Sequence, residues 1–114
     1  MTTLETFEDS VARLFKRRDF GYDLIHATVG ITSEAGEIAT TVKRHWAYET
    51  PLHRDNLLEE IGDLMFFATA LAHVCDFSLD QVLQANVAKL SKRYPLGEYS
   101  NEQALDRADK AGES

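Results

Sequence analysis

Pro51 and Pro95 are the only two prolines in a chain of 114 residues, and six glycines accompany them. A turn-rich β fold needs more breakers than that, because tight reversals favour Gly, Pro, Asn or Asp at their special backbone positions. Between the breakers, apolar residues recur at helical spacing. Leu4, Phe7, Val11, Leu14 and Phe15 share one helical face, which predicts a helix over residues 4–18 that Asp19-Phe20-Gly21 ends. Leu24, Ile25, Val29, Ile38 and Val42 predict a second helix over 23–47, and Pro51 marks a loop over 48–53. The third helix, over 54–74, carries a wide stripe of Leu57, Leu58, Ile61, Leu64, Met65, Phe67, Ala68, Leu71 and Ala72, and is expected to be the most buried element. Ser78, with Gln81 three residues on, reads as the cap of a fourth helix that carries Val82, Leu83, Ala85, Val87 and Leu90 inward and stops before Pro95-Leu96-Gly97. No segment alternates as a strand does. The expected fold is all-α: one helical domain over 1–97 and a polar C-terminal tail over 98–114, in which residues 101–110 form a short helix with little apolar surface.

The net charge is −7 with no basic block, which argues against nucleic acid as a partner, since such binding is driven by phosphate neutralisation. The single cysteine, Cys75, excludes an internal disulfide and sits in an apolar run, as a buried inert thiol does. No run of 18 apolar residues is present, so no membrane span is expected. The acidic, polar start MTTLETFEDS is unlike a signal peptide. Together these features predict a cytoplasmic protein.

Four carboxylates stand out by position. Glu34 and Glu37 are three apart on the second helix, Glu60 and Asp63 three apart on the third, so each pair lies on one helical face. One such pair is ordinary on a solvated helix. Two pairs on neighbouring helices are less so when one lies in the most apolar helix and the other beside the interior glycines Gly30 and Gly36. Unpaired carboxylates in an apolar setting cost several kcal/mol each and need compensation, from Lys or Arg or from a hard divalent cation. An oxygen-only set suits Mg²⁺ or Mn²⁺ better than Zn²⁺. Glu59 is an internal control: beside Glu60, it is expected to face solvent.

The strings GITSEAGEIATTVKRH and NLLEEIGDLMFFATALA resemble the MazG-type all-α nucleoside triphosphate pyrophosphohydrolases, a family marked by Glu-x-x-Glu, a spacer, then Glu-x-x-Asp. Here residues 38–59 form the spacer. The segment NVAKLSKRYPLGEYS is similar to the fourth helix of the short MazG-like proteins of phages and bacteria, and the resemblance spans residues 22–107. It implies a four-helix bundle completed by oligomerisation, as a homodimer or homotetramer. It also implies a site in which Glu34, Glu37, Glu60 and Asp63 bind Mg²⁺, with Mn²⁺ as a substitute, and a (deoxy)nucleoside triphosphate is cleaved to monophosphate and pyrophosphate. Glu34 or Glu37 is the expected acceptor of the water's proton. By the same resemblance Asn86, Lys89 and Arg93 contact phosphate or sugar, and Tyr94 shapes the rim. His26 and Trp46 are candidates to line the nucleotide pocket, Trp46 through its aromatic face. Arg44, two turns along the Glu37 face, is placed to pair with a carboxylate or a phosphate.

Two other classes compete. A di-iron bundle would need Glu-x-x-His on two helices, and the nearest match is Asp23-x-x-His26. A non-enzymatic helical interaction or regulatory module with the same fold is the stronger rival, and intact carboxylates at all four positions argue against it.

Overall fold

The computed structural model describes residues 2–110. The elements are α1 (Leu4–Leu14), α2 (Phe20–Ala47), α3 (Arg54–Val74), α4 (Leu79–Arg93), α5 (Asn101–Asp106) and a 3-10 turn over Ala108–Lys110. Among the described residues there is no strand, and no single helix is long and apolar enough to cross a membrane. The chain divides into two compact units, Met1–Leu79 and Asp80–Ser114.

In the first unit, α1 opens on a capping box: the Thr6 N–H donates to Thr3 Oγ1 at 3.1 Å and the Thr3 N–H to Thr6 Oγ1 at 2.9 Å. The helix ends at Leu14, short of the expected residue 18. Phe15 turns extended and buries its ring in the core, and the two residues beyond Lys16 have a different task. Arg17 Nε donates to Asp23 Oδ2 and the Arg18 N–H to Asp23 Oδ1, both at 2.9 Å. Asp19, read from sequence as the end of the first helix, instead opens the second. Its carboxylate accepts the Tyr22 N–H at 2.9 Å, so α2 begins at Phe20 and not at Asp23.

The core gathers Val11, Phe15, Ala27, Ala70 and Val74, with Phe7, Leu24, Phe66, Phe67 and Leu71 packed on it. α2 and α3 run antiparallel: Thr41 meets Glu60 near the connecting loop, while Gly30 meets Phe67 farther from it. A Cβ on Gly30 would lie 2.2 Å from the Phe67 ring, which explains one of the two interior glycines of α2. The apolar stripe of α3 is covered on one flank. Leu58, Ile61 and Met65 remain exposed, as do Ile25, Val29 and Val42 of α2.

The loop between α2 and α3 satisfies its own polar groups. Thr50 Oγ1 donates to the Arg44 carbonyl at 2.9 Å, His45 Nδ1 lies 2.6 Å from the Thr50 carbonyl, and His53 Nδ1 accepts the Asn56 N–H at 3.1 Å to cap α3. At the other end of α3, Glu8 accepts the Leu79 N–H and lies 3.0 Å from His73 Nε2. The Leu79 N–H first, and His73 after it, hold the Glu8 carboxyl below the usual range against the opposing effect of burial. Cys75, a half-buried free thiol, sits at the C-terminal cap of α3.

In the second unit, α4 stops at Arg93, two residues before Pro95. Gly97 turns the chain at φ +75°. Ser100 caps α5 by accepting the Gln103 N–H at 3.1 Å, and Arg107 leaves α5 in the left-handed region at φ 50°. The short helix expected over 101–110 is present as α5 and the 3-10 turn, and Arg93 makes paired contacts with Asp109 at 2.8 and 3.2 Å.

Candidate active site

The helical hairpin of α2 and α3 carries both acidic pairs. Glu60 is 8 % exposed and Glu59, its neighbour, is exposed, so the sequence reading of that pair of residues holds. Glu60 is compensated by neutral groups and not by a cation. Thr41 Oγ1 lies 2.8 Å from each Glu60 oxygen, and Asn56 Nδ2 donates to Oε1 at 2.9 Å. Asn56 also donates to Thr41 Oγ1 at 3.0 Å, which closes a three-membered polar network across the hairpin. A carboxylate has about four lone-pair positions, so these donors fix the Glu60 head group and leave acceptor capacity over. Asn56 stands one turn before Glu60 on α3 and Thr41 one turn after Glu37 on α2, positions that sequence analysis did not single out. The available signal was the i, i+4 spacing of a polar residue on the same face as each pair.

Glu34 is half-buried; Glu37 and Asp63 are exposed. Asp63 therefore departs from the expectation that both α3 carboxylates are embedded: the flank of α3 beyond Glu60 is uncovered, and Ile61 beside it is exposed too. The Glu34 carboxyl is pushed up from its ordinary value of 4.5, first by burial and then by the charges of Asp63, Glu37 and Glu60. The charges of the other three carboxylates thus reach Glu34, two of them from across the hairpin. Gly36 and Gly62 lie inside the two pairs, and a Cβ on either would meet nothing within 4 Å. Packing explains Gly30 but neither of these.

Among the described residues no three His, Cys, Asp or Glu side chains are already gathered into a metal coordination set. The donors nevertheless fit a hard divalent cation by chemistry. They are all oxygens, they repel one another, and two of them are exposed and have rotamer freedom to close on an ion. Among the described residues Arg44 makes no ion pair, and its backbone carbonyl accepts from Thr50 and Tyr48. A cleft of about 460 Å³ lined by Glu8, Phe15, Arg17, His73 and Phe77, among others, includes none of the four carboxylates.

The remaining sequence candidates fall elsewhere. His26 is exposed; it stacks on Phe15 with ring centroids 4.7 Å apart, meets Phe67 edge-on at 6.0 Å and lies 5.9 Å from exposed Tyr22. Trp46 is 79 % exposed near the end of α2. Phe66 and Phe67 pack on the core. In the second unit Asn86 and Lys89 are exposed, Arg93 and Tyr94 half-buried, and Lys92 exposed. Tyr94 packs against Tyr99 at 5.4 Å.

Residues 25–97, which hold both acidic pairs, their Thr41–Asn56 support and α4, match the MazG nucleotide pyrophosphohydrolase domain. The chain belongs to this family. Among curated proteins the MazG chain is similar to the Gene 37 protein of Mycobacterium phage L5, 38 % identical over 78 residues that make up 65 % of this chain and 68 % of that one. No solved structure matches it. Family membership accords with the all-α architecture and with the acidic hairpin as the place where MazG chemistry is sought.

Proposed function

We propose that the protein hydrolyses (deoxy)nucleoside triphosphates to monophosphate and pyrophosphate, at a site built on Glu34, Glu37, Glu60 and Asp63 with Mg²⁺ as the cofactor. What supports this reading is the convergence of the four carboxylates on one hairpin, where Glu34 is raised by burial and then by the charges of the other three, in a chain of the MazG family. A triphosphate is itself strongly anionic, so an acidic hairpin alone repels it. When bound, a divalent cation reverses the local sign, polarises the phosphoryl oxygens and lowers the pKa of a coordinated water. The carboxylates hold that ion, Thr41 and Asn56 fix the Glu60 head group within the set, and one carboxylate of the α2 pair accepts the proton of the attacking water. Water adds at the α phosphorus and the bond to the bridging oxygen of the β phosphate breaks, which releases pyrophosphate. Asn86, Lys89, Arg93 and Tyr94 contact phosphate and sugar. His26 and Trp46 belong to the nucleotide pocket in this reading.

The same reading includes self-association, as a homodimer or homotetramer. Ile25, Val29 and Val42 on α2 and Leu58, Ile61 and Met65 on α3 support it, since each is a large apolar side chain left exposed on the hairpin. Sedimentation reads the mass directly.

The test of the activity is pyrophosphate release from a panel of canonical and modified nucleotides, with Mg²⁺, with Mn²⁺ and with EDTA, in wild type, Glu37→Gln and Asp63→Asn. Metal-dependent release of monophosphate and pyrophosphate, lost in both variants while circular dichroism stays helical, is the expected outcome. Release that persists in EDTA, or in both variants, refutes the assignment of the site.

A further inference from the structure

The second unit holds a charge arrangement that the proposed activity does not use. Arg93 Nε donates to Asp109 Oδ1 at 2.8 Å and Nη2 to Oδ2 at 3.2 Å, a bidentate pair whose side chains are 17 % and 5 % exposed. Lys89 stands one turn before Arg93 on α4, and its charge also acts on Asp109. One carboxylate thus sits with the two cations of α4 that the family resemblance gives to phosphate.

We propose that Asp109 is an internal ligand of an anion site on α4: it occupies Arg93 beside Lys89 in the free protein and is exchanged for a phosphate of the bound nucleotide. The inference rests on the reading of the protein as a triphosphate hydrolase and adds self-inhibition to it. Carboxylate and phosphate are interchangeable partners for a guanidinium fork, since both accept two parallel N–H bonds. The helix that precedes Asp109 is short and shallow. α5 has six residues and buries none of them, and Leu105 within it is 85 % exposed. Arg107 follows α5 in the left-handed region, which is unfavourable for a residue with a Cβ. A short helix without buried residues, followed by a strained residue and pinned by a charge pair, is released when a stronger anion takes the guanidinium. The Arg93 and Asp109 titrations agree with a closed pair: Arg93 is raised above its ordinary value by Asp109, and Asp109 is lowered first by Arg93 and, least, by Lys89, with burial opposing in each.

The experiment compares wild type, Asp109→Asn and Asp106→Asn in calorimetric titrations with pyrophosphate and Mg²⁺, and in steady-state kinetics on the best nucleotide. Asp106 is exposed on α5, so its variant removes the same charge without touching the pair. An internal competitor lowers apparent affinity by the fraction of open protein, so Asp109→Asn is expected to bind pyrophosphate roughly fivefold tighter and to show KM lower by the same factor at unchanged kcat. Amide exchange over residues 101–107 is expected to rise when pyrophosphate is added to wild type. Equal affinity in wild type and Asp109→Asn, equal tightening in Asp106→Asn, or weaker binding in Asp109→Asn overturns the proposal; the last would make Asp109 a positioning residue for Arg93. The pyrophosphate titration decides the point even if no nucleotide is turned over, an outcome that refutes the hydrolase reading on its own.

Discussion

Asp23 and Glu34 lie about three turns apart on α2, and the structure drives their proton affinities in opposite directions. Asp23 is 1 % exposed. Burial alone pushes its carboxyl up, but the Arg18 N–H, the Arg17 guanidinium and the charge of His26 together outweigh that and hold it below its ordinary 3.8. Glu34 is more accessible and is raised, first by burial and then by the charges of Asp63, Glu37 and Glu60. The two acids differ in the sign of what their neighbours add to burial. At the α1–α2 joint every lone pair of interest meets a donor of the same chain, so the carboxylate is complete as a fold element. On the hairpin Thr41 and Asn56 donate to Glu60, and the charges that act on Glu34 are those of carboxylates, which is how a site for an external cation is expected to look.

The sharpest way to break this comparison is to neutralise each acid in turn. Glu34→Gln is expected to reduce metal-dependent turnover by about 10²–10³-fold, the order found when one preorganised electrostatic contact at a reacting centre is lost. Asp23→Asn is expected to leave the turnover of folded protein nearly unchanged and to lower the melting temperature by several degrees. Equal loss of turnover in both variants would erase the distinction. Thr41→Val comes next: the Glu60 head group loses a donor to both its oxygens, and about 10–100-fold of activity or metal affinity is expected to go with it.

Smaller effects separate the glycines. Gly30→Ala drives a methyl into the Phe67 ring and is expected to destabilise by about 1–3 kcal/mol, read from denaturant midpoints. Gly36→Ala meets open space and is expected to stabilise by about 0.5–1 kcal/mol through helix propensity. If Gly36→Ala gains stability but loses activity, the open side of that glycine is occupied by substrate.

The smallest signal is the pH dependence of stability in EDTA. Glu34, being raised, contributes most below its ordinary value of 4.5, and that contribution is lost as pH rises through its folded value. Glu34→Gln is therefore expected to melt increasingly above wild type as pH rises from 4.5. Asp23, being lowered, contributes in full above 3.8 and loses that contribution as pH falls toward its folded value, so the deficit of Asp23→Asn shrinks on acidification. Mg²⁺ is expected to cancel the first effect and leave the second.

The extents of α3 and α4 and the burial of Glu60 were legible in the sequence because local periodicity determines them. The end of α1 was not. Leu14 and Phe15 prolong the apolar rhythm, and what stops the helix is the demand of Asp23, several residues on, for Arg17 and the Arg18 N–H. Asp19 precedes a helix as plausibly as it ends one, and local signals do not choose between the two. The four carboxylates were legible from spacing, but their support was not: Thr41 and Asn56 reach Glu60 through the packing of two helices, which no window of sequence contains. Asp63 was read as embedded because its sequence neighbours are apolar, yet several of those neighbours are themselves uncovered. The short helix after Gly97 was legible in the sequence, but the ion pair of Arg93 with Asp109 was not, since it forms across 16 positions.

The loop that closes α2 on α3 has a kinetic consequence. It spans residues 48–53 and caps itself, so the two acidic pairs are brought together by contacts of short sequence separation and a small loop-closure entropy. The hairpin is expected to zip from that loop early in folding, through Thr41, Asn56 and Glu60, before α1 docks. The order of assembly then sets a requirement on the chain while it is being made: a mutually repelling set of acids is formed near the start, and the ionic conditions of that moment, not only those of the finished protein, bear on how fast it folds.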